Sequence, residues 1–564
     1  LLNCGDFNFT QMAEQLTLEQ IQNFKGKYPK QLWYLFLIEM WERFTFYGMR
    51  ALLGLYISHL ILSANYTQAD PIERDKAINT YATEKHETLD ESHPMYFIET
   101  SLQKFKDDAE AISNKRYGTI QAFIYAMAFL GGMFADKLFG FRKSIFWGGS
   151  LMAIGTFMMA IPGSLPFYVG VSILIVGNGF FKPNISTMVG SLYKEGDPRR
   201  DAGFSLFYSG INIGAVLSGL TIAYIGTSIS WSLGFGIAGV CMLFGLGIFI
   251  FTQKSLGPIG LPPVPEKLSE KVFGIPRGPL FFALSLLLIP IFFVFVYFPI
   301  DFNLGESIGV ISLTDIIFLL AAIITIGYIV YQINIATKEE GRKLIVAGIL
   351  ILFSVIFWSF FEQGGGSLNF FAVGNVQSHG LNMTQVNNTI NGLWVVIFAP
   401  IIGLLWLFLN KKKQEPNMIV KFGYGFIFLG LGFLIFYGSK FLATEDGMTP
   451  LWTFLGAYLV ISIGELCLSP IGLSMITKLS PTRLHGVMMG TWFLASAYGQ
   501  YGAGLIGATL AKGDKSIENP SNFQKLMQYV DGYELIGYIA LGSGIVLIAI
   551  SPLLLKIMKG GSKA

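Results

Sequence analysis

The chain is poor in charge, in cysteine and in any arrangement of residues suited to covalent chemistry. Asp, Glu, Lys and Arg make up only 13% of its 564 residues, and a net charge of +3 is too small to point to nucleic acid. Its three cysteines, Cys4, Cys241 and Cys467, have no metal-ligand spacing and imply no disulfide framework. Two of them lie in apolar segments, where a small buried thiol is expected. The sequence shows no metal cluster, nucleophile–base pair or phosphate-binding loop, so an enzyme is not expected and no metal or cofactor is called for. Repeated charged rings of the kind that line channels are also missing. The first 30 residues hold no signal-type apolar core, so the N-terminus is expected in the cytoplasm.

What the chain has is apolar length. It is 52% hydrophobic, with 50 Phe and 65 Gly and a mean hydropathy of +0.55. Runs of about 20 apolar residues, enough to cross ~30 Å of hydrocarbon, recur along it. They predict spans near 31–62, 115–135, 144–162, 165–192, 201–226 and 231–252, then 278–300 and 308–332, then 342–363, 388–410, 419–440, 448–478, 485–512 and 533–558. The expected fold is an all-α membrane protein of two six-helix bundles plus two additional helices, 14 in total. The divisions are a cytoplasmic segment 1–30, a first bundle 31–252 with an insertion 63–114, a linker region 253–341, a second bundle 342–558 and a tail 559–564.

Short-loop Lys and Arg set the orientation. Lys137, Arg142 and Lys143, then Lys194, Arg199 and Arg200, then Lys338, Arg342 and Lys343, then Lys411, Lys412 and Lys413 mark cytoplasmic loops. The protein is expected in the cell (inner) membrane, its partner the lipid bilayer, with both termini inside. The acid-rich insertion is expected outside, as a helical cap or a solvated loop. The Pro-rich stretch 253–277 reads as a stiff, non-helical connector, and the extra pair as a lipid-facing insertion outside the pathway.

Ionisable residues inside these spans are few, and a charge at mid-bilayer is costly enough to mark function. Glu39, Glu42 and Arg43 share a helical face at i, i+3 and i+4, and Arg50 returns to it. Lys182, Glu362 and Glu465 complete the set. Four acids face three bases, and a proton can neutralise the odd carboxylate. All three bases lie in the first half, while Glu362 and Glu465 lie in the second. A solute with a carboxylate at one end and an ammonium at the other fits that division, as free peptides and amino acids do. Tyr47, Trp358 and Trp492 are spaced four residues from Arg43, Glu362 and Ser496. Asp136, at the end of the second span, reads as a cytoplasmic latch.

These residues carry a specific resemblance. Glu39-x-x-Glu42-Arg43-Phe44, Gly-x-Gly-x-x-Lys182-Pro183-Asn184, Phe207-Tyr208-x-x-Ile211-Asn212-x-Gly214, Phe361-Glu362-Gln363, Gly464-Glu465-Leu466 with Ser469-Pro470, and Trp492 in Met-Met-Gly-Thr-Trp-Phe-Leu occur in order across both halves. The chain resembles the proton-coupled oligopeptide (peptide) transporter family of the major facilitator superfamily, in its bacterial form. The resemblance implies import of di- and tripeptides by alternating access, driven by protons and needing no cofactor. It implies proton coupling by Glu39, Glu42, Arg43 and Glu362, and gating by Asp136, Arg43 and Glu362. It gives the peptide carboxylate to Arg43, Arg50 and Lys182, and the peptide amine to Glu465 with Asn212 and Asn391. Tyr47, Tyr125, Trp358, Trp492 and Ser496 are similar to its pocket residues.

The chain departs from the family pattern in two places. Phe46-Tyr47 stands where the family often has Tyr-Tyr. Gly118 stands where animal members place a second-helix histidine, so coupling is expected to rest on carboxylates. His59, near the end of the first span, reads as a surface residue. If Glu362 faces Arg43 across the bundles, the two should form the proton-sensitive salt bridge. The alternative is a proton-coupled carrier of another small solute, nitrate or a peptide-like drug. The sequence leaves the oligomeric state open.

Overall fold

The computed structural model describes residues 16–68, 94–135, 139–194, 197, 199–272, 274–298, 300–303, 310–481, 484–512 and 521–559. The expected latch residue Asp136 lies outside them. The first bundle comprises α1 (Lys30–Gln68), α2 (Pro94–Phe134), α3 (Phe141–Met159), α4 (Ser164–Ser191), α5 (Arg199–Ser218) and α6 (Trp231–Thr252). Between the bundles lie α7 (Arg277–Leu286), α8 (Leu288–Tyr297) and α9 (Leu313–Ile335). The second bundle comprises α10 (Lys338–Phe361), α11 (Ser367–Asn375), α12 (Met383–Lys411), α13 (Met418–Gly438), α14 (Leu451–Leu479), α15 (His485–Lys512) and α16 (Asn522–Lys559).

Eleven helices among the described residues are long and apolar enough to cross a membrane, which makes this a multi-pass membrane protein. The three other expected spans are helical but fall short of that measure: α1, whose charges interrupt its apolar run, α3 and α15. The expected total of 14 is therefore not established by length and apolarity. Helices α1 and α2 extend from both sides into the expected insertion, and residues 69–93 lie outside the described set.

Helix starts follow from capping residues. Thr337 caps α10 in a reciprocal box with Glu340, Asn382 accepts from Gln385 N at 2.9 Å to start α12, and Asn417 accepts from Ile419 N and Val420 N to start α13. Helix α5 runs into a π-helical stretch, Gly219–Ala223, before Tyr224–Ser228. Gly219 lies there against Asn388 and Thr389 of α12.

The linker departs from the expectation of a non-helical connector. It holds a 3-10 turn at Gln253–Leu256, a short helix at Pro265–Ser269, and a two-stranded antiparallel pair in which Lys271 faces Pro276. Its first residues are fastened to the first bundle. The Arg142 guanidinium donates to the carbonyls of Ile259 (2.7 Å) and Gly257, and Arg142 N donates to Gly260 O at 3.0 Å.

The extra helices expose apolar side chains such as Leu319, Ile323, Ile324 and Ile326, as a lipid-facing element does. Their other side is bonded to both bundles. Ser312 caps α9 in a box with Asp315, and the Asp315 carboxylate also accepts from Tyr501 Oη of α15 and lies 3.7 Å from Lys115 Nζ of α2. Phe318 stacks on Tyr501 at 4.5 Å between centroids, and its carbonyl accepts from Tyr498 Oη at 3.0 Å. Asp315→Leu leaves Lys115 and Tyr501 without this acceptor. It should cost about 1.5–3 kcal/mol, the size of one lost hydrogen bond to a charged group. Thermal unfolding in detergent measures this, and an unchanged midpoint would show that the contact carries no stability.

The two bundles meet along α2 and α15. A Cβ on Gly118 would fall 2.5 Å from the Gly504 Cα and 2.8 Å from the Gln500 carbonyl. Helix backbones touch there, so this position has no room for a side chain such as histidine. His59 is exposed, with its ring stacked beside Trp231 at 5.8 Å.

Candidate functional site

The first group of charges is built on α1. Glu39, Glu42 and Arg43 are all buried. Arg43 Nη2 donates to Glu42 Oε1 at 2.7 Å, Nε donates to Glu42 Oε2, and Nε lies 3.2 Å from Glu39 Oε1. One arginine thus serves two carboxylates on its own helix, which a planar guanidinium can do and a point charge cannot. Arg43 also lies over the Phe46 ring at 4.9 Å, and Lys182 of α4 approaches the same ring at 5.9 Å. Lys182 stands 3.7 Å over the Tyr125 ring of α2. Among the described residues it has no direct carboxylate partner, so its charge is held by an aromatic face.

Two turns further along α1 lies the second group. Arg50 donates through Nη2 to Glu362 of the second bundle and through Nε to Tyr117 Oη of α2 at 2.6 Å. This corrects the expected pair, because Glu362 takes Arg50 and not Arg43. Arg43 is already held by Glu39 and Glu42, and Glu362 starts the 3-10 turn Glu362–Gly365 that abuts α1 one level beyond it. Around that turn, Gln363 Nε2 donates to Ala503 O at 3.0 Å and Asn387 Nδ2 donates to Gly364 O at 2.8 Å. Asn387 Oδ1 accepts from Tyr458 Oη at 2.6 Å. These bonds fix the turn within the second bundle, and the Arg50–Glu362 pair joins it to the first.

The third group surrounds Glu465 on α14. Asn391 Nδ2 donates to Glu465 Oε2 at 3.1 Å and to Ser462 Oγ at 3.0 Å. Tyr208 of α5 lies on the opposite bundle, near enough to Glu465 for the two to interact electrostatically. Asn212 donates to the Tyr208 carbonyl, one turn back on its own helix, at 3.1 Å rather than to Glu465.

The aromatic residues are less tightly joined to these groups. Tyr47 is part-buried, and its ring lies 5.9 Å from the Arg50 guanidinium. Trp358 packs on Gly499 of α15, and its buried Nε1 has no hydrogen-bond partner among the described residues. Trp492 packs on Gly472, and Ser496 Oγ donates to the Trp492 carbonyl at 3.5 Å. Residue-by-residue reading missed Tyr117, Asn178, Tyr208 and Ser462. Tyr117 falls on the face of α2 that carries Tyr125, eight residues on, and Ser462 is one turn from Glu465. Tyr208 stood in plain view within Phe207-Tyr208.

The arrangement sets buried and part-buried cations in one bundle against a buried carboxylate in the other, with an ion pair joining the two. Comparison with known proteins agrees with this architecture. Residues 142–275 and 311–524 match the POT family. An uncharacterized transporter of Bacillus subtilis, YclF, is 34% identical over 94% of this chain and 96% of its own length. A di-/tripeptide transporter of Lactococcus lactis subsp. cremoris is 31% identical over 94% and 96%. The crystal structure of a peptide transporter POT in complex with sulfate superposes with a TM-score of 0.72 at 29% identity, covering 96% of this chain and all of that one. With a family match spanning both bundles and a relative aligned over nearly its whole length, the chain belongs to the POT family.

Proposed function

We propose that this protein is a proton-coupled symporter that imports di- and tripeptides by alternating access. It works in the cell (inner) membrane with both termini in the cytoplasm, and the proton gradient is its energy source, with no cofactor. The observation that carries the reading is the division of charge withdrawn from solvent. Arg43, buried, and Arg50 and Lys182, part-buried, stand in the first bundle, and buried Glu465 stands in the second. A zwitterionic peptide fits this polarity, with its carboxylate toward the cations and its ammonium toward Glu465 and Asn391. The relative named as a di-/tripeptide transporter supports the substrate class. A nitrate carrier would need the cations and have no use for Glu465.

Coupling then runs through a shared arginine. Ionised Glu362 holds Arg50. A proton on Glu362 weakens that pair and frees Arg50 for the peptide carboxylate, so proton and peptide favour the same state. Glu39 and Glu42, sharing Arg43, form a second protonatable pair.

The decisive test is dipeptide uptake into proteoliposomes with and without an inward proton gradient, with nitrate and peptide-like drugs as competitors. Gradient-driven uptake that nitrate does not inhibit supports the reading, and uptake indifferent to the gradient refutes it. N-acetylated dipeptides should compete poorly. Acetylation removes the ammonium and leaves Glu465 unmatched, at about 2–5 kcal/mol for a buried charge pair. Equal competition by the acetylated and free peptides would refute the proposed polarity of the site.

A further inference from the structure

Asn178 lies on α4 between two glycines, and those glycines fix it in place. A Cβ on Gly179 would meet Met127 of α2 at 2.3 Å, and one on Gly177 would meet the Gly148 carbonyl of α3 at 2.8 Å. Helix α4 is therefore pressed against α2 and α3 on both sides of Asn178. The amide itself is fully buried and turned to α1, where Nδ2 donates to Glu42 Oε1 at 3.2 Å. Its other atom, Oδ1, is buried without a partner among the described residues, and so is Glu39 Oε2. An orphaned buried acceptor costs about 1–3 kcal/mol, so its presence beside a carboxylate calls for an explanation.

An amide is suited to a carboxylate that changes its protonation state. It donates through N–H to the ionised form. After rotation about its last bond it accepts, through Oδ1, the O–H of the protonated form. No fixed donor such as Arg43 can do both. The charged groups around Glu42 are Glu39 and Arg43 on its own helix and Lys182 on α4. Helix α5 presents Gly214 against Arg43 and Phe44, α6 presents Gly245, and α2 presents Met127 and Tyr125. Asn178 is thus the neutral partner that can follow a proton.

We infer that Asn178 is a positioning residue for proton coupling, an amide that serves the buried Glu42 carboxylate in both its ionised and its protonated form. The inference rests on the symport reading above. It adds to the motif acids a residue on a different helix, and so couples the charge state of α1 to the seating of α4, which carries Lys182.

The test uses the full-length protein in proteoliposomes and the nearly isosteric, apolar Asn178→Leu. Two rates are measured on each sample: peptide accumulation driven by a proton gradient, and peptide exchange between equal pools. The ratio of driven accumulation to exchange should fall about tenfold, the scale of one lost hydrogen bond to a charged group. A merely structural role lowers both rates in step, and that result overturns the proposal, as does an unchanged ratio. The double variant Asn178→Leu with Glu42→Gln gives an independent reading. If Asn178 acts through Glu42, the ratio in the double variant equals that of Glu42→Gln alone, and a further fall overturns the assignment. Wild-type protein that shows no gradient-driven uptake would refute the symport reading itself, a result distinguishable from failure of the Asn178 variants alone.

Discussion

Glu362→Gln should abolish gradient-driven peptide accumulation while leaving peptide exchange between equal pools largely intact. The glutamine mimics the protonated carboxyl and cannot return to the ionised state that holds Arg50. Arg50 keeps its second anchor, the Tyr117 hydroxyl at 2.6 Å, so it stays in place without its ion pair. Peptide can then enter, bind and leave in either direction, but no proton movement is tied to the step. The measurement is the ratio of internal to external labelled dipeptide at steady state, which should fall to about one. Full accumulation by this variant would move the coupling proton to Glu39 or Glu42 and remove Arg50 from the coupling path.

Arg43→Ala should abolish both accumulation and exchange, and it should lower stability as well. It leaves Glu39 and Glu42, both buried, without the cation that binds them. Breaking a buried ion pair by deleting one partner costs about 3–5 kcal/mol. Arg43→Lys should rescue little, because a single ammonium cannot bond Glu42 in a two-pronged fashion and reach Glu39 as well. Thermal unfolding in detergent and substrate exchange read the two effects separately. A stable, exchanging Arg43→Ala would show that the two carboxylates carry protons in the resting protein.

Much of this architecture is legible in the sequence because apolar length is a strong signal. Every expected span has a helix over it, and of the charges singled out for being out of place in lipid, Glu39, Glu42, Arg43, Glu362 and Glu465 are buried while Arg50 and Lys182 are part-buried. What local reading could not supply is pairing across the bundles. Arg43 and Arg50 lie on one face seven residues apart, and nothing in their spacing tells which of them meets Glu362. That depends on how far Glu362–Gly365 slides along α1, and the slide is set by contacts distant in sequence, such as Gln363 with Ala503 and Asn387 with Gly364. Asn178 escaped notice for a similar reason. In sequence it is an uncharged residue between glycines, and its meaning comes only from the carboxylate brought opposite it. In sequence Asp315 is only an acid within a greasy insertion; in the structure it completes the capping box of its own helix and takes up Tyr501 and Lys115 from two others.

The bonds of Arg142 to the carbonyls of Gly257, Ile259 and Gly260 have a mechanical consequence. A tether is only as long as its unattached part. Residues 257–260 are pinned to the first bundle, Leu268 is buried among that bundle's core side chains, and Phe282 of α7 stacks on Phe139 at 4.4 Å. The segment 253–277 is therefore clamped to the first bundle at both ends and supplies little slack of its own. The chain that must give when one bundle travels against the other begins beyond α7 and α8.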